Sequence, residues 1–264
     1  MCAGILKQAA ELSLAPVVVM VTNGDYGSPD HSVGHSRLRE TVEGLKLLGL
    51  DDQSVVFLGY ADTGMPEEDS FLTGLYREED GGKIHPSHCS CHTYGLPEKP
   101  EFHMTEYGCH GVYTRNGLKA DLEAVIKKYE PDTIFTTSQA DTHGDHSGLY
   151  HFLCEILTEQ KQRGERIPAV YAGIVHSTAG DDVWPERNGD IVSFTCPDGM
   201  GESYGLSWDA RVSFEVPDTM KAADRIQNEK SRALAKHVTA LKPDAVDFLY
   251  SFIKSEEIFW KVNI

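Results

Sequence analysis

The chain has 264 residues, and its 24 basic and 41 acidic side chains give a formal net charge of −17 with histidine neutral. Such an excess of acid argues against a nucleic-acid binder, which needs a basic face, and against an anionic membrane surface as partner. Six cysteines are too few for a disulfide scaffold. The sequence shows no secretory signal and no apolar run of the roughly 18–20 residues that span a bilayer. We therefore expect a soluble cytoplasmic protein with its cysteines as thiols.

Strands alternate with helices along the sequence. The apolar, β-branched run at 17–21 is typical of a parallel strand that is buried on both faces. Further strands are predicted at 54–58, 133–137, 169–175 and 212–216. Periodicity and capping residues predict helices at 3–13, 37–48, 117–128, 147–162, 220–242 and 245–254, with Ser36 and Asn116 as N-caps. The alternation indicates an α/β fold with a mostly parallel sheet, in a single domain over residues 1–264.

The segment from about residue 66 to 113 is rich in Gly, Pro, His and Cys and has weak periodicity. A loop this long inside a compact domain is uncommon and usually functional, so we expect it on the substrate side of a site. Within it, five potential soft metal ligands lie in eight residues. One hypothesis is a metal site built from His85, His88, Cys91 and His92, although their spacing departs from that of structural zinc sites.

The strongest local motif is Asp-Thr-His-Gly-Asp-His at 141–146, directly after the third predicted strand. Sites in open α/β sheets lie at the carboxyl ends of strands. His143 and His146 are three residues apart with Asp145 between them, which suits a metal ligand with an orienting or acid partner. The alternative interpretation is a polar strand-to-helix turn in which Asp145 is a cap.

Three further positions are weaker candidates. Arg37 lies at the start of a predicted helix, where the dipole disfavours a cation, which indicates that it faces an anion or a polarised oxygen. The polar turn with Asn23 and Asp25 follows the first predicted strand and lacks a dinucleotide-binding fingerprint. His176 follows the fourth predicted strand. The simpler alternatives are a surface arginine, a tight turn and a histidine that is satisfied at a strand end.

Several segments occur in an order and spacing that is typical of one family. They are VVVMVTNGDYGS at 17–28, R-x-x-E-x-x-x-G-x-x-x-L-G at 37–49, FLGYAD at 57–62, the segment from Pro-Asp to Asp-His at 131–146 and SEEIFW at 255–260. Together they resemble the PIG-L / LmbE-like family of zinc-dependent de-N-acetylases, with Gly44 where the family usually has alanine.

The resemblance implies a Rossmann-like three-layer α/β/α fold. It implies hydrolysis of the N-acetyl group of an N-acetylglucosaminyl-type sugar or glycoconjugate, giving acetate and a free amine. It also implies Zn²⁺ with His146 as a ligand, and a catalytic His143, held by Asp145, that stabilises the oxyanion or protonates the leaving amine. The substrate-binding residues that it implies are Arg37, Asp62, Asn23, Asp25 and His176.

One family feature is missing from this sequence. The family opens with a central strand that ends in His-Pro-Asp-Asp, which supplies two zinc ligands and the catalytic base. Here Cys2–Ile5 resembles the segment just after that motif. We therefore expect the central strand to be missing and its neighbours at 17–21 and 133–137 to have unpaired edges. The hypotheses are a deacetylase whose sequence is truncated at its start, or an inactive sugar-binding or scaffold protein.

Overall fold

The structure, a computed structural model, describes residues 1–64, 67–187 and 191–264. These residues form two compact units, each assembled from three segments of the chain. The first unit consists of Met1–Val18, Ser36–Val55 and Gly173–Trp260. The second unit consists of Val19–His35, Val56–Ala172 and Lys261–Ile264. The expected single domain over 1–264 stays a prediction.

Helices and strands alternate as the sequence predicts, in a mixed α/β fold with parallel sheet elements. The helices of the described residues are α1 (Ala3–Glu11), α2 (Ser32–Leu47), α3 (Phe71–Arg77), α4 (Phe102–Tyr107), α5 (Arg115–Tyr129), α6 (Gly144–Gln162), α7 (Glu229–Leu234) and α8 (Val246–Tyr250). The strands are β1 (Val18–Thr22), β2 (Val55–Tyr60), β3 (Thr133–Thr137), β4 (Ala169–Gly173), β5 (Arg211–Glu215) and β6 (Glu256–Val262).

The strands of the described residues form two separate sheets. β1 pairs with β2 in one sheet, whereas β3 ends the other sheet beside β4. In the first unit β5 pairs antiparallel with β6, so the fold is not wholly parallel. Neither sheet joins β1 to β3. These are the two strands that the family resemblance places on either side of a central strand.

The core of the second unit is built around β2 and α6. Every residue of β2 is buried, as its apolar composition predicts. On α6, Leu153 and Leu157 pack with Val170 of β4 in one apolar cluster. Helix α3 packs against α6, and this contact positions the loop that precedes α3. The carboxyl ends of β2 and β3 thereby lie next to the start of α6.

In the first unit, a buried carboxylate holds the start of α1. Glu257 on β6 accepts hydrogen bonds from the backbone N–H of Gly4 at 3.0 Å and of Ile5 at 3.1 Å. Lys230 donates to the same carboxylate at 2.7 Å, and both side chains are almost fully buried. An anion at a helix N-terminus is favourable because it meets the unpaired N–H groups there.

Three predicted helix boundaries were wrong. Helix α2 begins at Ser32 and not after Ser36. The N-cap of α5 is Thr114, whose side chain accepts from the N–H of Gly117, and not Asn116. Helix α6 begins three residues earlier than predicted, at Gly144. In α5 the threonine hydroxyl satisfies an N–H group of the first turn, which is the physical requirement for a cap.

The predicted long helix at 220–242 was also wrong. Only Glu229–Leu234 is α-helical there. Asn228 caps this helix, and its amide donates to the carbonyls of Met220 and Ala222, which folds the preceding segment back. Beyond the helix, the N–H and hydroxyl of Thr239 both donate to Glu40. These side-chain contacts replace the hydrogen bonds that a continuous helix would make.

The predicted loop at 66–113 contains regular structure. Its first residue, Pro66, lies outside the described residues. The rest includes the two short helices α3 and α4, whose lengths of seven and six residues are too short for a clear periodicity. The strand β6 near the end of the sequence was not predicted as a strand.

No helix in the described part of the chain combines the length and the apolar character that crossing a bilayer requires.

Candidate active site

The candidate site lies in the second unit, where polar residues follow three strands. Asp62 comes two residues after β2, and its Oδ1 lies 3.5 Å from the hydroxyl oxygen of Thr22, the last residue of β1. The 141–146 motif follows β3 and leads into α6. The carboxyl ends of neighbouring strands are where an α/β fold places ligand-binding groups.

Three of these side chains form a compact group. One ligand atom from each of Asp62, His143 and Asp145 lies within 4.8 Å of the others. Asp62 and His143 are partly exposed, whereas Asp145 is buried. Carboxylate oxygen and imidazole nitrogen are both common zinc donors, so the group fits a metal ion in its chemistry. The structure thus brings a substrate candidate and both catalytic candidates from the sequence together.

Both carboxylate oxygens of Asp145 accept hydrogen bonds. Oδ2 accepts from the backbone N–H and the hydroxyl of Thr63, each at 2.9 Å, and Oδ1 accepts from the N–H of Leu72 at 2.8 Å. Leu72 lies in the first turn of α3, so the carboxylate satisfies an N–H group at the start of a helix other than its own. Burial raises the pKa of Asp145 despite these hydrogen bonds.

His143 is the N-cap of α6. Its Nδ1 accepts from the backbone N–H of Asp145 at 3.3 Å. Because Nδ1 is the acceptor, the proton of the neutral ring is assigned to Nε2. The sequence predicts that Asp145 holds His143, and the contact between them runs through the backbone of Asp145.

Asp141 contacts both histidines of the motif. Its Oδ1 accepts from the backbone N–H of His143 at 3.0 Å and lies 3.1 Å from Nδ1 of His146. The two imidazole rings are stacked with their centroids 4.6 Å apart. Burial alone would lower the pKa of His146, but Asp141, followed by Asp145 and Asp62, raises it. A carboxylate on one ring nitrogen is the arrangement that orients metal-binding histidines.

Asn23 and Asp25 are buried, and Asp25 contacts the backbone of the site residue Asp62. Both side chains are almost fully buried. Oδ1 of Asp25 accepts from the backbone N–H of Asp62 at 3.0 Å, and its Oδ2 accepts from the hydroxyl of Tyr94 at 2.7 Å. The amide of Asn23 donates to the carbonyl of Tyr94 at 2.9 Å. These contacts hold the turn after β1 against Asp62 and Tyr94.

Arg37 and His176, the other two substrate candidates, belong to the first unit. Nδ1 of His176 contacts Asp181 at 2.9 Å, and its ring stacks on Phe248. Nε of Arg37 is buried and has no hydrogen-bond partner among the described residues. The substrate-binding roles of both residues stay predictions.

The histidines and cysteines of the 85–92 segment do not come together as one group. Nε2 of His85 contacts Glu78 at 3.0 Å, Sγ of Cys91 contacts Nδ1 of His92 at 3.2 Å, and Cys89 contacts Asp25. Within residues 1–64, 67–187 and 191–264, this segment contains no group of three metal donors. The structure therefore does not assemble the alternative metal site that the segment suggested.

Comparison with protein families identifies the chain. The family model of the GlcNAc-PI de-N-acetylases, PIG-L, matches residues 1–157, which is more than half of the sequence. The chain belongs to the PIG-L family. The match includes Asp62 and the whole 141–146 motif, so the family resemblance seen in the sequence is confirmed.

Among solved structures, a deacetylase has a fold similar to that of this PIG-L protein. The chain is similar to the A40926 pseudoaglycone deacetylase Dbv21, with a TM-score of 0.50 and 12% sequence identity. The similarity covers 98% of this chain and 90% of that chain. At this identity the likeness concerns the fold alone. A comparison with curated protein sequences found no match.

Sequence reasoning assigned no role to two residues of the site. Asp141 was recognised as part of the motif but not as the side chain that contacts both histidines. Thr63 follows Asp62 directly and carries no signal of its own, because its partner Asp145 lies 82 residues away. A contact over that separation depends on the packing of α3 against α6, which a single sequence does not reveal.

Proposed function

We propose that this chain removes the N-acetyl group from an N-acetylglucosaminyl-type substrate and releases acetate and a free amine. The observation that carries the proposal is the group of Asp62, His143 and Asp145 at the carboxyl ends of the strands. His146, the zinc ligand expected from the sequence, is not one of these three donors, but its ring stacks on that of His143. Membership of the PIG-L family supports deacetylation, and the family description supports a GlcNAc-type substrate.

A zinc ion fits the donors of this site. Nδ1 of His146 contacts Asp141, so the other ring nitrogen, Nε2, is its candidate ligand atom. Asp62 is the candidate carboxylate ligand because it is partly exposed, whereas both oxygens of Asp145 already accept hydrogen bonds. When bound, zinc polarises the acetamide carbonyl and lowers the pKa of water.

The remaining site residues have roles in proton transfer and in positioning. His143 carries its ring proton on Nε2, so this atom is suited to donate to the oxyanion or, in the imidazolium form, to protonate the leaving amine. An oxyanion donor is often worth about 3–4 kcal/mol of transition-state stabilisation. Asp145 and Thr63 keep α3 and the start of α6 in place, which fixes the position of His143. Arg37 and His176 remain candidates for holding the sugar.

The decisive experiment is acetate release by the purified chain. N-acetylglucosamine and N-acetylglucosaminyl phosphatidylinositol are incubated with the protein, and acetate is measured by proton NMR. We expect release that EDTA abolishes and added zinc restores. His151→Ala, on the same helix α6 but outside the metal group, is the control and should retain activity. Saturable sugar binding without acetate release would favour the sugar-binding alternative.

Zinc stoichiometry of three variants tests the ligand assignment. His146→Ala and Asp62→Ala should lose zinc on dialysis, whereas His143→Ala should keep zinc and lose acetate release. The reverse pattern, with zinc lost from His143→Ala and kept by His146→Ala, would make His143 the ligand and contradict its role as proton donor.

A further inference from the structure

The turn after β1 places an exposed aromatic ring next to the candidate site. The carboxylate of Asp25 accepts a hydrogen bond from the backbone N–H of Asp62 at 3.0 Å. This contact also holds the next residue in the chain, Tyr26, near Asp62. Asp25 itself is 2% exposed, but the side chain of Tyr26 is 60% exposed. The same turn thus has one side chain that fixes the site and another that faces solvent.

Tyr26 lies over the backbone that follows Asp62. A methyl group built on Gly64 would lie 3.2 Å from Cε1 of the tyrosine ring, so the ring covers the backbone at this glycine. Gly64 follows Thr63, the residue that binds Asp145. One edge of the ring is therefore in contact with the segment that carries the site residues.

His88 braces the ring from another direction. Its imidazole meets Tyr26 edge-on, with centroids 5.8 Å apart and an interplanar angle of 75°. The next residue, Cys89, donates its thiol hydrogen to Asp25 at 3.3 Å. The N–H of Ser87 donates to the carbonyl of Ser90 at 2.7 Å, which closes a turn around His88. The position of Tyr26 is thus supported from the loop as well as from β1.

A single exposed tyrosine is normal on a protein surface and needs no explanation. Here the argument rests on position, because the ring is held by Gly64 and His88 beside Asp62 and still exposes most of its area. Aromatic rings that are fixed in place bind apolar surfaces at a small entropic cost. The C–H face of a pyranose is such a surface.

We propose that Tyr26, braced by His88, is a substrate-binding residue that stacks on the apolar face of the sugar ring. This inference rests on the proposed function, since it assigns a subsite for the amino sugar whose acetamide reaches Asp62 and His143. It makes Tyr26 a determinant of specificity for cyclic substrates over small acyclic acetamides.

Binding measurements test the inference without requiring catalysis. Saturation-transfer NMR measures the binding of N-acetylglucosamine by the full chain, by Tyr26→Ala and by Tyr26→Phe. The sugar is titrated up to about 50 mM, so that weak binding is also detected. Burial of the ring face against the sugar should be worth about tenfold in affinity, which Tyr26→Ala loses and Tyr26→Phe keeps to about twofold. N-acetylethanolamine, which has no ring, should bind both variants and the parent chain equally.

Tyr129→Ala is the matched control. Tyr129 is also an exposed tyrosine of the second unit, but it ends α5 and precedes β3, whereas the site follows β3. The five residues of β3, a length of about 17 Å, separate the start of this strand from the end that carries the site. This variant should bind N-acetylglucosamine like the parent chain.

The outcomes separate this inference from the proposed function. If the chain releases acetate, Tyr26→Ala should raise KM about tenfold and leave kcat within about twofold, which is the pattern of lost ground-state binding. A chain that binds N-acetylglucosamine through Tyr26 but releases no acetate would overturn the proposed function alone. Unchanged affinity in Tyr26→Ala, an equal loss in Tyr26→Phe, or no binding of the sugar by the parent chain would overturn the role of Tyr26.

Discussion

Oδ1 of Asp141 lies 3.1 Å from Nδ1 of His146, and the same oxygen accepts the backbone N–H of His143. A buried carboxylate therefore orients one imidazole directly and positions the other through the main chain. A carboxylate that binds one ring nitrogen of a metal-ligating histidine raises the basicity of the ring and fixes its tautomer.

Asp141→Asn should weaken zinc binding about 10–100-fold, the usual effect of losing such an orienting group. The asparagine retains an oxygen for the N–H of His143 but removes the negative charge beside His146. Competition with a chromophoric chelator measures the affinity, and circular dichroism monitors folding. Asp132→Asn, an exposed aspartate just before β3, is the control and should leave the affinity unchanged. Equal affinities for Asp141→Asn and the parent chain would exclude Asp141 as an orienting group for a zinc ligand.

The buried ion pair of Lys230 and Glu257 predicts a loss of stability in acid. Burial alone would raise the pKa of Glu257, but Lys230 and the N–H of Gly4 lower it below its ordinary 4.5. A carboxyl with a lowered pKa stabilises the fold above its unfolded-state pKa, and this contribution disappears as the pH falls through the folded-state pKa. Glu257→Gln should reduce the free energy of unfolding by about 3 kcal/mol at pH 7, since it leaves Lys230 without a buried counter-charge.

Urea unfolding at pH 7 and at several values below 4.5 measures this effect. The difference between Glu257→Gln and the parent chain should shrink as the pH falls, because protonation removes the same charge from the parent. Glu43→Gln, at an exposed glutamate of α2 that pairs with Lys46, is the control and should change stability little. A difference that stays constant with pH would show that the charge of Glu257 is not the source of its contribution.

Local signals account for the parts of this fold and site that the sequence predicted. The predicted strand before Asp141 and the two histidines three residues apart are close together in the sequence, so placing them side by side required no knowledge of tertiary contacts. Asp25 illustrates the opposite case. The family resemblance makes it a substrate-binding candidate, and this role stays a prediction. In the structure its oxygens accept hydrogen bonds from the N–H of Asp62 and the hydroxyl of Tyr94. The partners of a polar side chain in such a turn lie far along the chain, so a single sequence does not reveal them.

The wrong prediction at 220–242 has a similar origin. The sequence there has the helix-forming residues Ala, Lys, Arg and Leu. Its actual course depends on Asn228, which binds two carbonyls before the helix, and on Glu40, which captures Thr239 after it. Propensity is a weak prior that such side-chain contacts override.

Cys89 should be a slowly reacting thiol although it is partly exposed. Burial, with the hydrogen bond and charge of Asp25, raises the pKa of Cys89 to about 11. The thiolate is the nucleophile in alkylation, so few molecules react at pH 8. Timed exposure to iodoacetamide, followed by peptide mass spectrometry, should show Cys89 modified at least about tenfold more slowly than the exposed Cys109. Asp25→Asn should accelerate the modification of Cys89 alone, and equal rates for the two cysteines in the parent chain would contradict the pairing.

Gly59 at the end of β2 should tolerate no larger residue, because the backbone of Tyr94 approaches it closely. A methyl group there would lie 2.3 Å from the carbonyl oxygen of Tyr94, and the φ angle of Gly59 is +79°. Gly108 has nearly the same φ angle, +76°, but its methyl group would meet nothing within 4 Å. Gly108→Ala should therefore cost only the backbone strain of about 1 kcal/mol, whereas Gly59→Ala should cost about 3 kcal/mol or more. Thermal and urea unfolding of the two variants measure the difference, and equal losses would mean that the φ angle, and not the contact with Tyr94, requires glycine at position 59.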